Sequence, residues 1–181
     1  MRWMEKIVFS RNIASKYTTL TYGYDVALRI ADLVGKDCAL GKAYHITTEE
    51  CIKWEDVLEC YLDVLEQHTG KRPEVCWTEK SDLHLEKTNY YQIHCDREFD
   101  SIFSNAKIQA DSGEQQAFME TKQGLEKCLT EFLNEEKRFQ FRDWKEEAVL
   151  DRISGDKSLL KEIPGVKNKV KYVVYRYIFN V

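Results

Sequence analysis

The side chains that most often carry out acid–base chemistry are scattered along this sequence. The four histidines stand apart from one another, at His45, His68, His84 and His94. His45 alternates with Tyr44 and Ile46, which is typical of a packed or hydrogen-bonded strand residue and less so of a general base. Carboxylate pairs such as Glu146/Glu147 are expected to be exposed helix charge. These spacings favour structural over catalytic roles.

Cysteines could bind a metal, but their spacing does not favour it. The six cysteines form no C-x-x-C pair and stand at Cys38, Cys51, Cys60, Cys76, Cys95 and Cys128. His94 and Cys95 are the only neighbouring His–Cys pair. A zinc site usually needs four ligands in two tight pairs. The sequence therefore predicts reduced, mostly buried thiols and no metal site.

The motifs that define the common cofactor-dependent and nucleophilic enzymes are also missing. The eight glycines never adopt the spacing of a dinucleotide-binding or P-loop motif. No tyrosine is followed by a lysine four residues later, and neither G-x-S-x-G nor H-E-x-x-H occurs. The chain alone is therefore expected to hold no cofactor and no complete catalytic site.

Composition predicts one globular domain. The 181 residues are 43% apolar, 32% charged and 12% aromatic, without disordered bias. Glu5 and Lys6 stand where a signal peptide needs an apolar core. The longest uncharged apolar stretches, such as "YVVY", are far shorter than the roughly 20 residues that span a bilayer. We expect a soluble, cytoplasmic protein.

Charge is uneven along the chain. Residues 156–181 contain six basic and two acidic residues, a balance of +4, and since the whole chain is −4, residues 1–155 carry −8. A basic tail can contact nucleic acid or anionic lipid. The favoured alternative is the solvated face of a terminal helix. Its predicted apolar stripe is Val166, Val170, Val173, Val174, Tyr177 and Ile178, although "YVVYRYIF" could also form a strand.

Hydrophobic periodicity predicts an α/β first half and a helical second half. Strands are predicted at 5–10, 17–22, 43–47 and 74–79, and 43–47 is the type buried in the middle of a sheet. Helices are predicted at 26–34, from Trp54 onward, at about 118–135, at 144–153 and after "IPGV" (163–166). Residues 81–104 show no sustained period.

Helix ends can also be predicted. Asp25 is a good N-cap for the first helix and Gly35 ends it. Asp143 and Glu146 form an analogue of the capping box at the start of the helix 144–153. The apolar side of the first helix is predicted to consist of Val26, Ala27, Ile30, Ala31 and Val34.

Three phrases of the sequence resemble the NAD-dependent epimerase/dehydratase family, the extended short-chain dehydrogenases. The first is "YTTLTYGYDVALRIADLV" followed by "GKAYHITTEECIKWEDV". The second is "CDREFDSIFSNAKI" (95–108), and the third is "GLEKCLTEFL" followed by "FRDWKEEAVLDRI" (124–153). Their order and spacing carry the resemblance, which covers about residues 17–153.

The resemblance covers only the C-terminal half of that family, whose N-terminal half holds the glycine-rich cofactor loop and the Tyr-x-x-x-Lys pair. It implies a Rossmann-type fold with few short strands and a helix-rich second half. Residues 1–153 would form the substrate lobe and terminal sheet strands, and residues 154–181 a basic amphipathic C-terminal helix. Strand 43–47 would then pair with strands of the missing half.

The implied function is the substrate-binding portion of a sugar-nucleotide NAD(P)-dependent epimerase, dehydratase or reductase. NAD(P) would be held by the missing half, which is the expected partner besides the nucleotide sugar, or the chain would self-associate. Neither nucleic acid nor a membrane is expected. The alternative is a non-catalytic interaction module derived from that fold, with an exposed sheet edge that recruits a protein.

The resemblance also implies a set of substrate-binding residues. Thr21 and Tyr22 occupy the family's "TH" position, and Asn105 and Lys107 match its "NSK". Lys16 is a candidate for phosphate contact, as is Arg11, because the family's glycine-rich turn and nearby arginine are absent here. Asp25 matches the family's helix-starting Asp and is expected to be structural.

Overall fold

Strands and helices alternate in the first half of the chain and helices dominate the second, so the predicted α/β class is confirmed. A computed structural model describes residues 5–81, 91–112, 117–135 and 143–178. The first half contains β1 (Lys6–Ser10), α1 (Arg11–Ala14), β2 (Tyr17–Thr18), α2 (Gly23–Leu33), β3 (Ile52–Lys53), α3 (Trp54–Thr69) and β4 (Glu74–Thr78). A π-helical turn (Ile93–Arg97) is followed by α4 (Ala106–Ser112), α5 (Thr121–Leu133), α6 (Trp144–Ile153) and α7 (Val166–Tyr177).

The first sheet consists of β1 and β4, which run parallel from Lys6 opposite Glu74 to Ser10 opposite Thr78. Ile7 packs against a buried cluster that α3 and α5 supply, consisting of Val64, Leu65 and Leu133. The apolar stripe of α3 therefore lies where its sequence predicted, against a sheet. Along the residues that the structure describes, β1 and β4 are hydrogen-bonded only to each other.

Two predicted strands differ from the structure. In the segment 17–22 only Tyr17–Thr18 pairs, antiparallel with Ile52–Lys53. Residues 43–47 are not a strand, because no described strand lies beside them to complete a ladder. The carbonyl groups of Ala43 and Thr47 instead accept hydrogen bonds from the side chains of α4 and its approach, which satisfies the backbone without a sheet.

The predicted start of α2 was wrong. The helix begins at Gly23 with Tyr22 as its N-cap, and Asp25 lies in the first turn. The Asp25 carboxylate accepts a hydrogen bond from the Met119 backbone N–H at 2.7 Å, so its hydrogen bond is made to a distant segment and does not cap α2. Gly35 follows the helix with φ +79°, the left-handed conformation expected of a helix stop.

The outer face of α2 lies in solvent, and no residue of this helix is buried. Ile30 is 52% exposed and Val34 is 76% exposed, although both belong to the predicted apolar stripe. Gly23, Ala27 and Ala31 are also exposed and share that face by helical spacing. A predicted core face is therefore left without a partner among the described residues.

The helices α6 and α7 form one unit. Trp144, Ala148, Ile163 and Tyr172 make a buried cluster, and the Trp144 and Tyr172 rings meet edge to face with centroids 6.4 Å apart. Asp143 caps α6 as predicted, since its carboxylate accepts from the Lys145 backbone N–H at 2.9 Å. The chain between residues 154 and 178 is thus held against the helix before it.

The buried side of α7 was predicted wrongly. Tyr172 is 1% exposed, whereas Val166, Val170, Tyr177 and Ile178 of the predicted stripe are more than half exposed. Aromatic rings bury more apolar area than valines, and the Tyr172 hydroxyl finds a partner in Asp151. The side of the helix with Tyr172 and Tyr175 therefore faces the core, together with Val173 of the predicted stripe, and Val166 and Val170 face solvent.

The cysteines are free thiols, and only Cys60 is buried, so the prediction of mostly buried thiols was wrong. Within the described residues, no three His, Cys, Asp or Glu side chains come together as metal ligands would. His84 lies outside that part of the chain. None of the described helices has both the length and the apolar character needed to cross a membrane.

Candidate functional site

A cavity of about 210 Å³ opens at the carboxyl ends of the two parallel strands. Its position follows from the strand register, because Ser10 ends β1 and Ser81 stands three residues beyond the end of β4. The lining residues come from β1, α1, the start of α3 and the π-helical turn, and they are Val8, Phe9, Ser10, Ile13, Trp54, Ser81, Ile93 and Arg97. The walls are mainly apolar with a few polar groups, the usual composition of a small-molecule site.

Ser10 gives this cavity a polar group with no role inside the protein. Its side chain is 3% exposed, and its Oγ has no hydrogen-bond partner among the described residues. A buried hydroxyl left without a partner costs about 1–3 kcal/mol.

Trp54 and Arg97 form a flat, cationic part of the cavity lining. The Arg97 guanidinium carbon lies 4.4 Å from the centroid of the Trp54 ring, within cation–π range. Asp96 pairs with Arg97 at 3.2 Å. Arg97 closes the π-helical turn, a distortion that is frequent at functional sites. The π-helical turn thus brings a planar cation against the indole that begins α3.

Ionisable groups flank the cavity next to Ser81. The His94 Nδ1 atom lies 2.8 Å from the Glu98 Oε2 atom. Hydrogen bonds from Ser81 and His94, together with the positive charge of Lys16, lower the pKa of the Glu98 carboxyl. Glu98 is therefore a carboxylate at neutral pH, and Lys16, one of the predicted site residues, stands near this cavity.

Three of the predicted site residues meet at a different place, on the segment 43–48. The Lys107 Nζ atom donates to the Ala43 carbonyl at 2.7 Å, and the Asn105 amide donates to the Thr47 carbonyl at 2.9 Å. The Thr21 hydroxyl accepts from the Thr48 backbone N–H at 3.0 Å. In the structure these side chains hold the chain itself, which gives each of them a structural role.

The side chain of Tyr44 is fixed in the same segment. Its hydroxyl donates to the Asp111 carboxylate at 2.6 Å, and Lys42 donates to the same oxygen at 2.9 Å. These bonds hold the pKa of the Asp111 carboxyl below its ordinary value. The hydrogen bond to Asp111, with burial, raises the pKa of Tyr44 to about 12. Lys107 lies over the Tyr44 ring, 5.0 Å from its centroid.

The remaining predicted residues do not join either group. Tyr22 packs on α5, where a Cβ atom added to Gly124 would come 3.4 Å from the Tyr22 Cβ atom. Arg11 lies over the Trp77 ring at 5.0 Å and pairs with Glu79 at 3.4 Å. Arg11 therefore already has two partners.

The cavity residues themselves were missed from the sequence, although part of the signal was present. Ser10 ends one predicted strand and Ser81 follows another, and ligands of α/β sheets bind at the carboxyl ends of parallel strands. Parallel pairing of these two strands would have pointed to both serines. Ile93 and Arg97 fall in the stretch without a sustained period, where no pattern indicated a π-helical turn.

Comparison with protein-family models, with curated proteins and with solved structures found no match to this chain. The groups around the cavity are suited to binding a ligand through an apolar wall, a hydroxyl and nearby charges.

Proposed function

We propose that this chain is the substrate-binding lobe of a sugar-nucleotide NAD(P)-dependent epimerase, dehydratase or reductase with a Rossmann-type sheet. The observation that carries the proposal is the cavity at the carboxyl ends of β1 and β4, which has among its lining residues Ser10, whose buried hydroxyl has no partner among the described residues. This edge of a parallel sheet is where α/β enzymes bind nucleotides and their substrates. The sequence resemblance supplies the substrate class.

The size and chemistry of the cavity support one ring of a nucleotide sugar as its occupant. A volume of about 210 Å³ is below that of a site for a whole drug-sized ligand. Trp54 and Arg97 offer a flat wall to a ring, and Ser10 offers a hydroxyl. Lys16 is the cation we assign to the phosphate groups, which would lie outside the cavity.

Two surfaces support a separate cofactor-binding half. Parallel sheets normally have several strands and helices over both faces, whereas β1 and β4 pair only with each other in the part of the chain that the structure describes. The exposed face of α2 carries Gly23, Ala27 and Ala31, whose small side chains permit close approach of another element. A cofactor-binding half would extend this sheet and cover this helix.

Calorimetric titration of the chain with UDP-glucose, dTDP-glucose and GDP-mannose tests the proposal, with the free nucleotides, NAD⁺ and NADP⁺ in parallel. We expect one nucleotide sugar to bind and both dinucleotides to fail, because no glycine-rich loop is present to hold their pyrophosphate. Ser10→Ala should weaken binding about tenfold through the lost hydrogen bond. Ser104→Ala, an exposed serine away from the cavity lining, should leave binding unchanged.

The exposed face of α2 also favours the second candidate, a non-catalytic interaction module. The two candidates differ in what the cavity does. If the chain joins a partner through α2 while none of the nucleotide sugars binds, either alone or in the complex, the interaction module is the correct function. Stoichiometric NAD⁺ binding at low micromolar concentration would contradict both.

A further inference from the structure

The solvent side of α7 is an apolar face bordered by cations. Successive helical residues are rotated by about 100°, so Val166, Val170 and Tyr177 share one side of this helix, away from Tyr172 and Tyr175. Val166 is 76% exposed and Val170 is 55% exposed. We call this the valine face of α7.

The opposite side of α7 is fully used inside the protein. Tyr172 lies in the cluster with Trp144 and Ala148, and Val173 and Tyr175 pack against that cluster. The Tyr172 hydroxyl also donates to Asp151 at 2.6 Å. The orientation of α7 is therefore fixed by its aromatic side, and the valine face cannot turn inward without breaking this packing.

Positive charge borders the valine face on both sides. By helical rotation Lys167 flanks one side and Lys169 the other, and neither forms an ion pair in the described part of the chain. At the C-terminal end, a hydrogen bond from Arg176 and the nearby Lys157 lower the pKa of the Tyr177 hydroxyl. The local potential is thus positive along the helix, although the chain as a whole is −4.

These features point to an anionic lipid surface. Helices that lie in a membrane interface bury an apolar face beneath the headgroups and place lysines at its borders, where long side chains reach the phosphates. Charges of the acidic body that lie more than about 10 Å away are screened at moderate salt. A nucleic acid would need cations in the centre of the contact, where α7 presents valines.

We propose that α7 docks this protein on anionic membranes through its valine face, with Lys167 and Lys169 contacting the lipid headgroups. The proposal depends on α7 alone and stands apart from the nucleotide-sugar function of the cavity. It replaces the sequence-based expectation of no membrane partner. A second copy of the chain is a poorer occupant, because two α7 helices facing each other would bring their lysines together.

Sedimentation with vesicles tests this proposal on the full chain. We expect the protein to pellet with phosphatidylcholine vesicles that contain 30 mol% phosphatidylserine, to stay in the supernatant with phosphatidylcholine alone, and to be released by high salt. The variant K167Q/K169Q should bind about 25-fold more weakly, since each lysine near an anionic surface contributes about fivefold.

The apolar contribution is tested with Val170→Glu, which should abolish pelleting at moderate salt. Its matched control is Leu40→Glu, the same charge change at an exposed apolar residue (76%) outside α7 and the cavity. Circular dichroism melts verify that both variants fold. Equal pelleting of Val170→Glu and the parent chain would overturn the proposal. The proposal would also be overturned if the parent chain bound no vesicles and formed a dimer that Val170→Glu dissociates. It would equally be overturned if the parent chain bound polyglutamate and did not bind vesicles.

Discussion

The Asp25 carboxylate and the Met119 backbone N–H are hydrogen-bonded at 2.7 Å, although 94 residues separate them in the sequence. Asp25 lies in the first turn of α2, where the helix dipole stabilises a negative charge. Met119 stands two residues before α5 begins. One charged hydrogen bond therefore connects the exposed helix α2 to the helix that covers the sheet.

Asp25→Ala should lower the free energy of unfolding by about 1–2 kcal/mol, because a charge-assisted hydrogen bond and a favourable helix-dipole contact are lost together. Asp25→Asn keeps an acceptor oxygen and should lose about half as much. Asp32→Ala removes an exposed carboxylate with no described partner near the end of the same helix and should change little. Urea unfolding measures all three. Equal effects of Asp25→Ala and Asp32→Ala would contradict the role of Met119.

Asp25 illustrates how far sequence reasoning reached. Its type and position predicted a helix start within three residues of the observed one, since Asp is favoured both at the N-cap and in the first turn. Its actual partner, Met119, could not be predicted, because nothing local encodes a contact across 94 residues. Asp143, Gly35 and the stripe of α3 were predicted correctly, because each of these features is encoded by neighbouring residues of the sequence.

Which face of a helix is buried proved harder to predict. The valine stripe of α7 has the helical period, but the side with Tyr172 and Tyr175 is buried, because Trp144 and Asp151 offer partners for a ring and a hydroxyl. Hydrophobic periodicity identifies an apolar side of a helix, whereas the side that becomes buried depends on the element against which the helix packs. The cavity was missed for a related reason, since it depends on the parallel pairing of β1 with β4.

Tyr172→Phe should destabilise the α6–α7 unit by about 2 kcal/mol. The Tyr172 hydroxyl donates to the buried Asp151 carboxylate at 2.6 Å and accepts from the Ser158 backbone N–H at 2.9 Å. Removing it leaves a buried charge with fewer donors, and hydrogen bonds to charged groups contribute about 1.5–3 kcal/mol. Thermal unfolding measures the loss. Tyr24→Phe alters a tyrosine that is 63% exposed and should leave the melting temperature within a degree.

The stabilisation by Tyr172 should disappear in alkali. Burial and the hydrogen bond to Asp151 raise the pKa of Tyr172 to about 12, above the value near 10 of an unfolded chain. A group whose folded pKa is raised contributes its full stability below the unfolded pKa, and that contribution is lost as pH rises through the folded one. The stability difference between the parent and Tyr172→Phe should therefore be constant to pH 10 and shrink toward pH 12. A constant difference across that range would contradict this linkage.

Asn105→Ala should loosen the segment 43–48 and lower stability by about 1–2 kcal/mol. Asn105 is 5% exposed, and its amide satisfies the Thr47 carbonyl, which has no ladder partner. Amide hydrogen exchange in residues 43–48 should speed up, with little change in α6 and α7. Asn134→Ala, at an exposed position, is the control. If Asn105 served substrate rather than the segment, nucleotide-sugar affinity would fall while exchange and melting stayed as in the parent.

Ser10→Ala and Ser158→Ala should change stability in opposite directions, although both serines are 3% exposed. Ser158 donates its hydroxyl to Asp151 at 2.7 Å, so its removal should cost about 2 kcal/mol. The Ser10 hydroxyl has no partner among the described residues, so the unliganded chain should gain about 1 kcal/mol from its removal. Urea unfolding of both variants measures the signs.

The opposite sign of the stability change in Ser10→Ala matters, because a serine that serves only stability would be expected to have a hydrogen-bond partner for its buried hydroxyl. A group that destabilises the empty cavity and strengthens the bound state is expected of a binding site. The melting temperature of Ser10→Ala should therefore rise without ligand, while the additional rise caused by a nucleotide sugar should become smaller than in the parent. If Ser10→Ala and Ser158→Ala lowered the free energy of unfolding equally, the Ser10 hydroxyl would already have a partner. The described lining of the cavity would then contain no buried polar group that lacks one.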